Sequence, residues 1–373
     1  MYRQAISTES SDNFSSVMVD EPRASNYDAA RAGTKPASGS KPPSTALSAL
    51  RRLIGFFTVL TVMAFALNAM ITSGLRRIKT SEYGAWNQMM EGKVNAQIVV
   101  TGSSRAASHY DPRIIATTTG RSAFNLGRNG SQTDMQLAVL KAYLEHNQKP
   151  EMVVHNLDAF TFETSHEVYA FAQYVPYLYD NEIYAPLRKI TPDTWKSRYV
   201  PLYGYVVDDM NFSWMLGIRG FFGWSPKSDF FQGFDPRPKP WTDDFDSFRA
   251  TNPNGVSWPI EPEGIRVMQD LAGLCQERGI QLIFVYSPEY SEMQKLTNNR
   301  AEVFGHFHEL AERYHVPIWD YSDWSHAADT QYFTNSQHLN AQGAALFSED
   351  IASRLQQYIA AQGSSAADLR VAH

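Results

Sequence analysis

Gly102, Ser103, Ser104 and Arg105 follow directly on the β-branched run Ile98-Val99-Val100-Thr101. A short apolar run of this kind suits a strand buried in a parallel sheet. Gly102 permits a sharp exit from that strand. The serines would then stand at its carboxyl end, where open α/β sheets place their ligands. A serine hydroxyl beside the free N–H groups of a following helix offers a nucleophile and donors for an oxyanion, which is the chemistry of acyl transfer. Taken alone, the tetrapeptide favours a plainer role, a capping serine at a strand–helix junction.

Two later stretches alter that balance. Asn125-Leu126-Gly127-Arg128-Asn129-Gly130-Ser131 is a Gly/Asn loop after a short run, and Tyr332-Phe333-Thr334-Asn335-Ser336-Gln337-His338-Leu339-Asn340 precedes a C-terminal helix. In order, spacing and context the three resemble the SGNH (GDSL-type) hydrolase superfamily. More narrowly, they resemble its membrane-anchored branch in envelope and exopolysaccharide acylation, which includes the D-alanyl transfer protein of teichoic acid synthesis and the alginate acetylation proteins. The resemblance spans residues 95 to 360, with a gap in the middle.

The resemblance implies roles residue by residue. Ser104 takes the nucleophile's position, with Ser103 where Asp is usual. Gly130 matches the glycine whose N–H donates to the oxyanion, with Gly127 as a rival. The usual Gly-x-Asn-Asp is missing; His155-Asn156-Leu157-Asp158 stands in its place, so Asn156 could supply the side-chain donor although its register is off by one. His338 takes the general base's position. The acid of the usual Asp-x-x-His is Asn335. A neutral amide can orient an imidazole but stabilises its protonated form less than a carboxylate does. Three readings stay open: Asn335 orients a Ser–His dyad, another carboxylate (Asp158, Asp320 or Asp323) replaces it, or the site is weak or dead.

Other candidates carry less. Arg105 could bind an anionic sugar or phosphate, or cap a carboxylate in the core, with nothing to separate the two. His109 reads as a packed or exposed histidine. His306 and His308 do not share a helix face, and no acidic cluster supports a metal there. With no nucleotide-type phosphate loop, no metal and no cofactor are expected. The single cysteine, Cys275, excludes an intramolecular disulfide and reads as a small buried hydrophobe. A net charge of −6 argues against nucleic acid as a partner.

The elements that must position these residues follow from periodicity. Residues 1–47 are rich in Ser, Ala and Pro and are expected to lack structure. Residues 53–71 form a nearly unbroken apolar run, long enough as a helix to cross a bilayer. Basic residues on the tail side favour a cytoplasmic N-terminus and a main domain outside the cytoplasm, anchored to the cell membrane by a single pass. Residues 80–94 read as a helix or stalk. An α/β domain is expected over 80–360, with strands at 98–100, 124–126, 152–158, 280–286 and 316–320 alternating with helices, hence a three-layer parallel sheet flanked by helices. Residues 161–257 break the rhythm with dense Trp, Tyr, Phe, Pro and Gly. They read as an insertion or lid whose aromatic faces suit sugar rings, or which simply pack it onto the core.

These expectations converge on a membrane-anchored serine esterase or O-acyltransferase. Its partners would be a polysaccharide or glycan acyl acceptor, a membrane-bound acyl-donor protein and the lipid bilayer. The alternative is an inactive SGNH-like carbohydrate-binding or scaffold subunit of a polysaccharide assembly complex.

Overall fold

The computed structural model describes residues 44–207, 212–242 and 244–371. The tail expected to lack structure lies outside them, except for 44–47, which are helical. The chain divides into two compact units, Met1–Phe56 and Phe57–His373. In the first, the described part is the start of helix α1 (Ser44–Leu75), where Leu53, Ile54 and Phe56 are exposed. Its apolar stretch carries few charges and is 6% buried, and the helix is long and apolar enough to cross a membrane.

The second unit holds the rest. In chain order come α2 (Ser81–Met90), β1 (Ile98–Thr101), α3 (Ser104–His109), α4 (Pro112–Thr119), β2 (Ala123–Asn125), α5 (Thr133–His146) and β3 (Met152–Leu157). Five short helices follow: α6 (Asn181–Ile190), α7 (Thr194–Tyr199), α8 (Tyr203–Val206), α9 (Ser213–Phe221) and α10 (Asp244–Thr251). The α/β rhythm resumes with α11 (Pro262–Arg278), β4 (Gln281–Tyr286), α12 (Ser291–Lys295), α13 (Arg300–Tyr314) and β5 (Ile318–Asp320). A two-stranded hairpin, β6 (Phe333–Asn335) and β7 (His338–Leu339), leads into α14 (Ala341–Val371). That last helix runs past residue 360, where the α/β domain was expected to end.

The main sheet is parallel throughout, in the order β2-β1-β3-β4-β5. It is the expected three-layer arrangement, a parallel sheet flanked by helices. Both faces are covered, so each strand alternates between two cores rather than between core and water. Val99, Val153, Leu282 and Phe284 face one cluster, with α2, α5, α11 and α13. Ile98, Val100, Val154, Ile283 and Val285 face the other, with α4 and α14.

Of the two readings of residues 80–94, the helix is found: α2 lies there, with Trp86 and Met89 fully buried. One boundary differs from expectation. The domain does not begin at residue 80, because Ile71, Leu75 and Ile78 are buried in the same core as the sheet. A chain cut at residue 78 would lose those three side chains. Residues 161–257 supply Tyr174, Tyr177, Leu178, Ile183, Leu187 and Tyr205 to that core. For these aromatics and aliphatics, packing is the role.

Candidate active site

All five parallel strands end on one edge of the sheet. β1 and β3 are neighbours there, yet the chain goes from β1 to β2 on one side and from β3 to β4 on the other. Such a reversal leaves a crevice at the strand ends, and Ser104 begins α3 at that point. Gly102 makes the approach possible: its φ is +141°, and a Cβ there would press on Ala106 and Asn156. Ser103 caps α3, its Oγ accepting from Arg105 N at 3.2 Å. The capping role thus belongs to Ser103, and the neighbouring Ser104 is half-buried with its hydroxyl turned outward to the crevice.

His338 arrives from the far end of the chain on the β6–β7 hairpin. Ser104 Oγ and His338 Nε2 are 2.7 Å apart, and His338 Nδ1 lies 2.9 Å from Asn335 Oδ1. The same oxygen also accepts from Gln337 N at 3.1 Å and His338 N at 3.0 Å. Backbone N–H groups can only donate, so they fix which end of the amide faces the ring. His338 Nδ1 must therefore carry its proton, and Nε2 presents a lone pair to the serine. Burial, and after it the nearby charges of Arg237 and Arg105, hold His338 well below the usual histidine pKa. At neutral pH the ring is an uncharged acceptor.

None of the three carboxylates considered as substitutes is hydrogen-bonded to this imidazole among the described residues. Asp158 pairs with Arg105 at 3.2 Å, and Asp320 Oδ1 accepts from Ser322 N at 2.8 Å. The Nδ1 position is occupied by Asn335.

Two of the other anticipated site residues face inward. Arg105 is 2% exposed and does not reach the crevice. Its guanidinium donates to the carbonyls of Ser287, Pro288 and Leu157 and to Asp158, and lies 4.7 Å from the Tyr286 ring centre. A substrate-binding role is replaced by a core one, because the side chain that follows Ser104 on a helix points about 100° away from it. Asn156 is also fully buried. Its Oδ1 accepts from Tyr110 OH at 2.8 Å and its Nδ2 donates to Leu157 O and Asp158 Oδ1. That amide has no donor left for an oxyanion; the one-residue register offset places it on the inner side of the strand end.

The two candidate glycines also separate. Gly127 N donates to Asn125 Oδ1 at 2.8 Å, so it is engaged. Gly130 N has no acceptor among the described residues; the residue sits at φ +65° with Tyr169 packed against it.

Two further residues shape the site: His109, which the sequence marked only as packed or exposed, and Arg237, which it did not mark. His109, fully buried, receives Leu339 N at Nε2 (3.0 Å) and therefore donates from Nδ1 to Ser287 Oγ (2.9 Å). It pins the backbone next to His338. Burial, then the charges of Arg105, His338 and Arg237, keep its pKa well below the usual value. Arg237 comes from the end of the insertion, where residues 232–242 cross the sheet edge. Asp235 N donates to Ala107 O, Thr242 N to Thr334 O, and Ala341 N to Arg237 O. Arg237 Nη2 donates to Asn129 Oδ1 at 2.9 Å, tying that strap to the Gly130 loop. Cys275 is buried on α11, away from this edge, with its thiol pushed up to about 12 by burial.

No protein-family model and no curated relative matches the chain. Among solved structures it is similar to the psychrotrophic esterase EstA from Pseudoalteromonas sp., with 10% identity over 70% of this chain and 97% of that one, at a TM-score of 0.38. It is similar also to a GDSL-like lipase from Bacteroides thetaiotaomicron, with 10% identity over 74% and 98% of the two chains and a TM-score of 0.34. Similarity of this low order leaves the site's own geometry to carry the functional reading.

Proposed function

We propose that this chain is a membrane-anchored serine esterase or O-acyltransferase that acts on envelope or exported polysaccharide through Ser104 and His338. The observation that carries the proposal is the 2.7 Å contact from Ser104 Oγ to a His338 nitrogen whose tautomer is fixed by Asn335. In the reaction, Ser104 Oγ attacks the ester carbonyl while His338 Nε2 takes its proton. The oxyanion is met by the N–H of Ser104, in the first turn of α3, and by that of Gly130. The imidazolium returns its proton to the leaving alcohol. Water or a sugar hydroxyl then takes the acyl group from Ser104, giving hydrolysis or transfer.

The half-buried rings of Trp241 and Tyr290, 4.9 Å apart beside the β6–β7 hairpin, and exposed Tyr169 beside Gly130, offer aromatic surface of the kind sugar rings stack on. α1 supplies the anchor, with the N-terminus on the cytoplasmic side. The test is turnover of a simple aryl ester and of an O-acetylated polysaccharide, with Ser104→Ala and His338→Ala as controls. Turnover by the wild type that both substitutions abolish supports the proposal; equal turnover in all three refutes it.

Asn335 favours a second reading. With an amide where a carboxylate would stabilise the imidazolium, the fold could serve as a catalytically inactive carbohydrate-binding or scaffold subunit. Glycan binding without any turnover would select it.

A further inference from the structure

The apolar run of α1 begins after Arg51 and Arg52, and within it Asn68 is held by the insertion, its Oδ1 accepting from Leu202 N at 2.9 Å. Between them lie residues 53–67, roughly 22 Å of helix at about 1.5 Å per residue. A hydrocarbon core of about 30 Å needs about 20 residues. Charged side chains resist hydrocarbon depth, so the two arginines hold their end at the interface. The missing length is the stretch 68–72, and those turns are already occupied by the insertion.

The contacts are close. Thr72 Oγ1 lies 2.8 Å from Tyr205 OH. Gly217 sits on Ile71, and Gly220 on Gly74 and Ile78, so α9 follows α1 in the same direction; a Cβ at Gly74, Gly217 or Gly220 would collide with the opposing backbone. Arg77 Nη1 donates to Phe221 O at 3.0 Å. The elements that grip α1 at the depth of the bilayer also expose apolar side chains: Val206 is 69% exposed, Phe212 58%, Phe222 77% and Trp224 41%. Such a concentration on a folded domain marks a binding surface. Cations accompany the aromatic end of it, Arg77 at 4.8 Å from the Phe221 ring centre and Arg219 at 5.3 Å from that of Trp224. Aromatic rings with basic neighbours are the composition of a membrane–water interface.

We propose that α8, α9 and the turn after them form a second membrane contact, lying in the interface with Val206, Phe212, Phe222 and Trp224 in lipid. This rests on the reading of α1 as a membrane span. The partner is the bilayer itself, and the two contacts together fix how the Ser104 edge is presented to it.

The experiment uses the full chain in nanodiscs of phosphatidylcholine and phosphatidylglycerol. A nitroxide is placed by Phe222→Cys or Phe212→Cys, with Leu60→Cys as the reference in the span and exposed Glu312→Cys on α13 as the aqueous reference. Buried Cys275 does not compete for the label. Collisions with dissolved oxygen are expected to dominate over those with a water-soluble nickel chelate at 222 and 212, as at 60, with the reverse at 312. Nickel-dominated labels at 222 and 212, with 60 in lipid, overturn the second contact and leave the span intact. Labels there sheltered from both reagents mean that protein covers the face, and overturn it as well. A water-exposed label at 60 overturns both.

Discussion

Ser104 and Arg105 are consecutive residues of one short helix with opposite surroundings. On Ser104's side a half-buried hydroxyl, imidazole and amide stand in line, reachable from the crevice. On Arg105's side a guanidinium, Asp158, Asn156 and three backbone carbonyls close on one another with no exposed surface. The first set has an unfinished arrangement, a lone pair aimed at a hydroxyl, which is what a reaction requires. The second is closed on itself and holds the ends of β1, β3 and β4 at fixed distances. The polar residues beside the serine divide into those poised for chemistry and those that hold the poise.

The contrast can be broken from either side. Ser104→Ala should lower ester turnover by about a thousandfold or more, while shifting unfolding free energy by only about 0.5 kcal/mol, as expected for a half-buried hydroxyl. Arg105→Ala should do the reverse at the level of folding. Removing one partner of a buried ion pair costs about 3–5 kcal/mol because the other charge is left uncompensated, and the urea midpoint should fall accordingly.

The buried histidines can be tested with acid. Burial depresses His109 well below the usual value and His155 to about 3, while the unfolded chain titrates near 6.5. Below about pH 6.5 the unfolded state therefore binds more protons than the folded one. The stability these residues contribute is intact above that pH and falls as pH drops toward the folded values, by about 1.4 kcal/mol per unit for each. Replacing His155 by Leu should remove one such increment from the slope of unfolding free energy against pH.

The smallest change expected is at Asn335. Its oxygen already sets the tautomer, so Asn335→Asp adds only charge beside the imidazolium. That is worth about one pKa unit or more, hence about a tenfold rise in kcat/KM for an aryl ester. An unchanged or reduced rate would mean that a carboxylate from elsewhere reaches His338 during turnover.

Much of this organisation was legible in the sequence, for identifiable reasons. The five strands and the helices between them announce themselves by short β-branched runs and helical spacing. Ser104 is placed by the end of a strand, and its role and that of His338 are legible only through the resemblance of their stretches to a hydrolase superfamily. What was not legible depends on the partner across a contact. Nothing in Gly-Ser-Ser-Arg says that Ser103 caps while Ser104 faces out, nor that Arg105 turns to carbonyls contributed by residues 287 and 288. Asn156 looked available because it stands, one residue out of register, where the resemblance puts an asparagine, and one register step decides which side of a strand a residue takes. His109 carries no motif; its role exists only once Leu339 N arrives beside it. The apolar run from 53 to 71 is nearly unbroken, and only α9, some 140 residues later, shows that the end of the helix built on it belongs to the protein's core.

The central claim is that Ser104 is a nucleophile activated by His338, and covalent labelling tests it most directly. The purified protein would be treated with a fluorophosphonate and the adduct located by peptide mass spectrometry. The account predicts one phosphonyl group, on Ser104, lost in Ser104→Ala and strongly slowed in His338→Ala. No adduct on the folded wild type, or an adduct on a different residue, would contradict it.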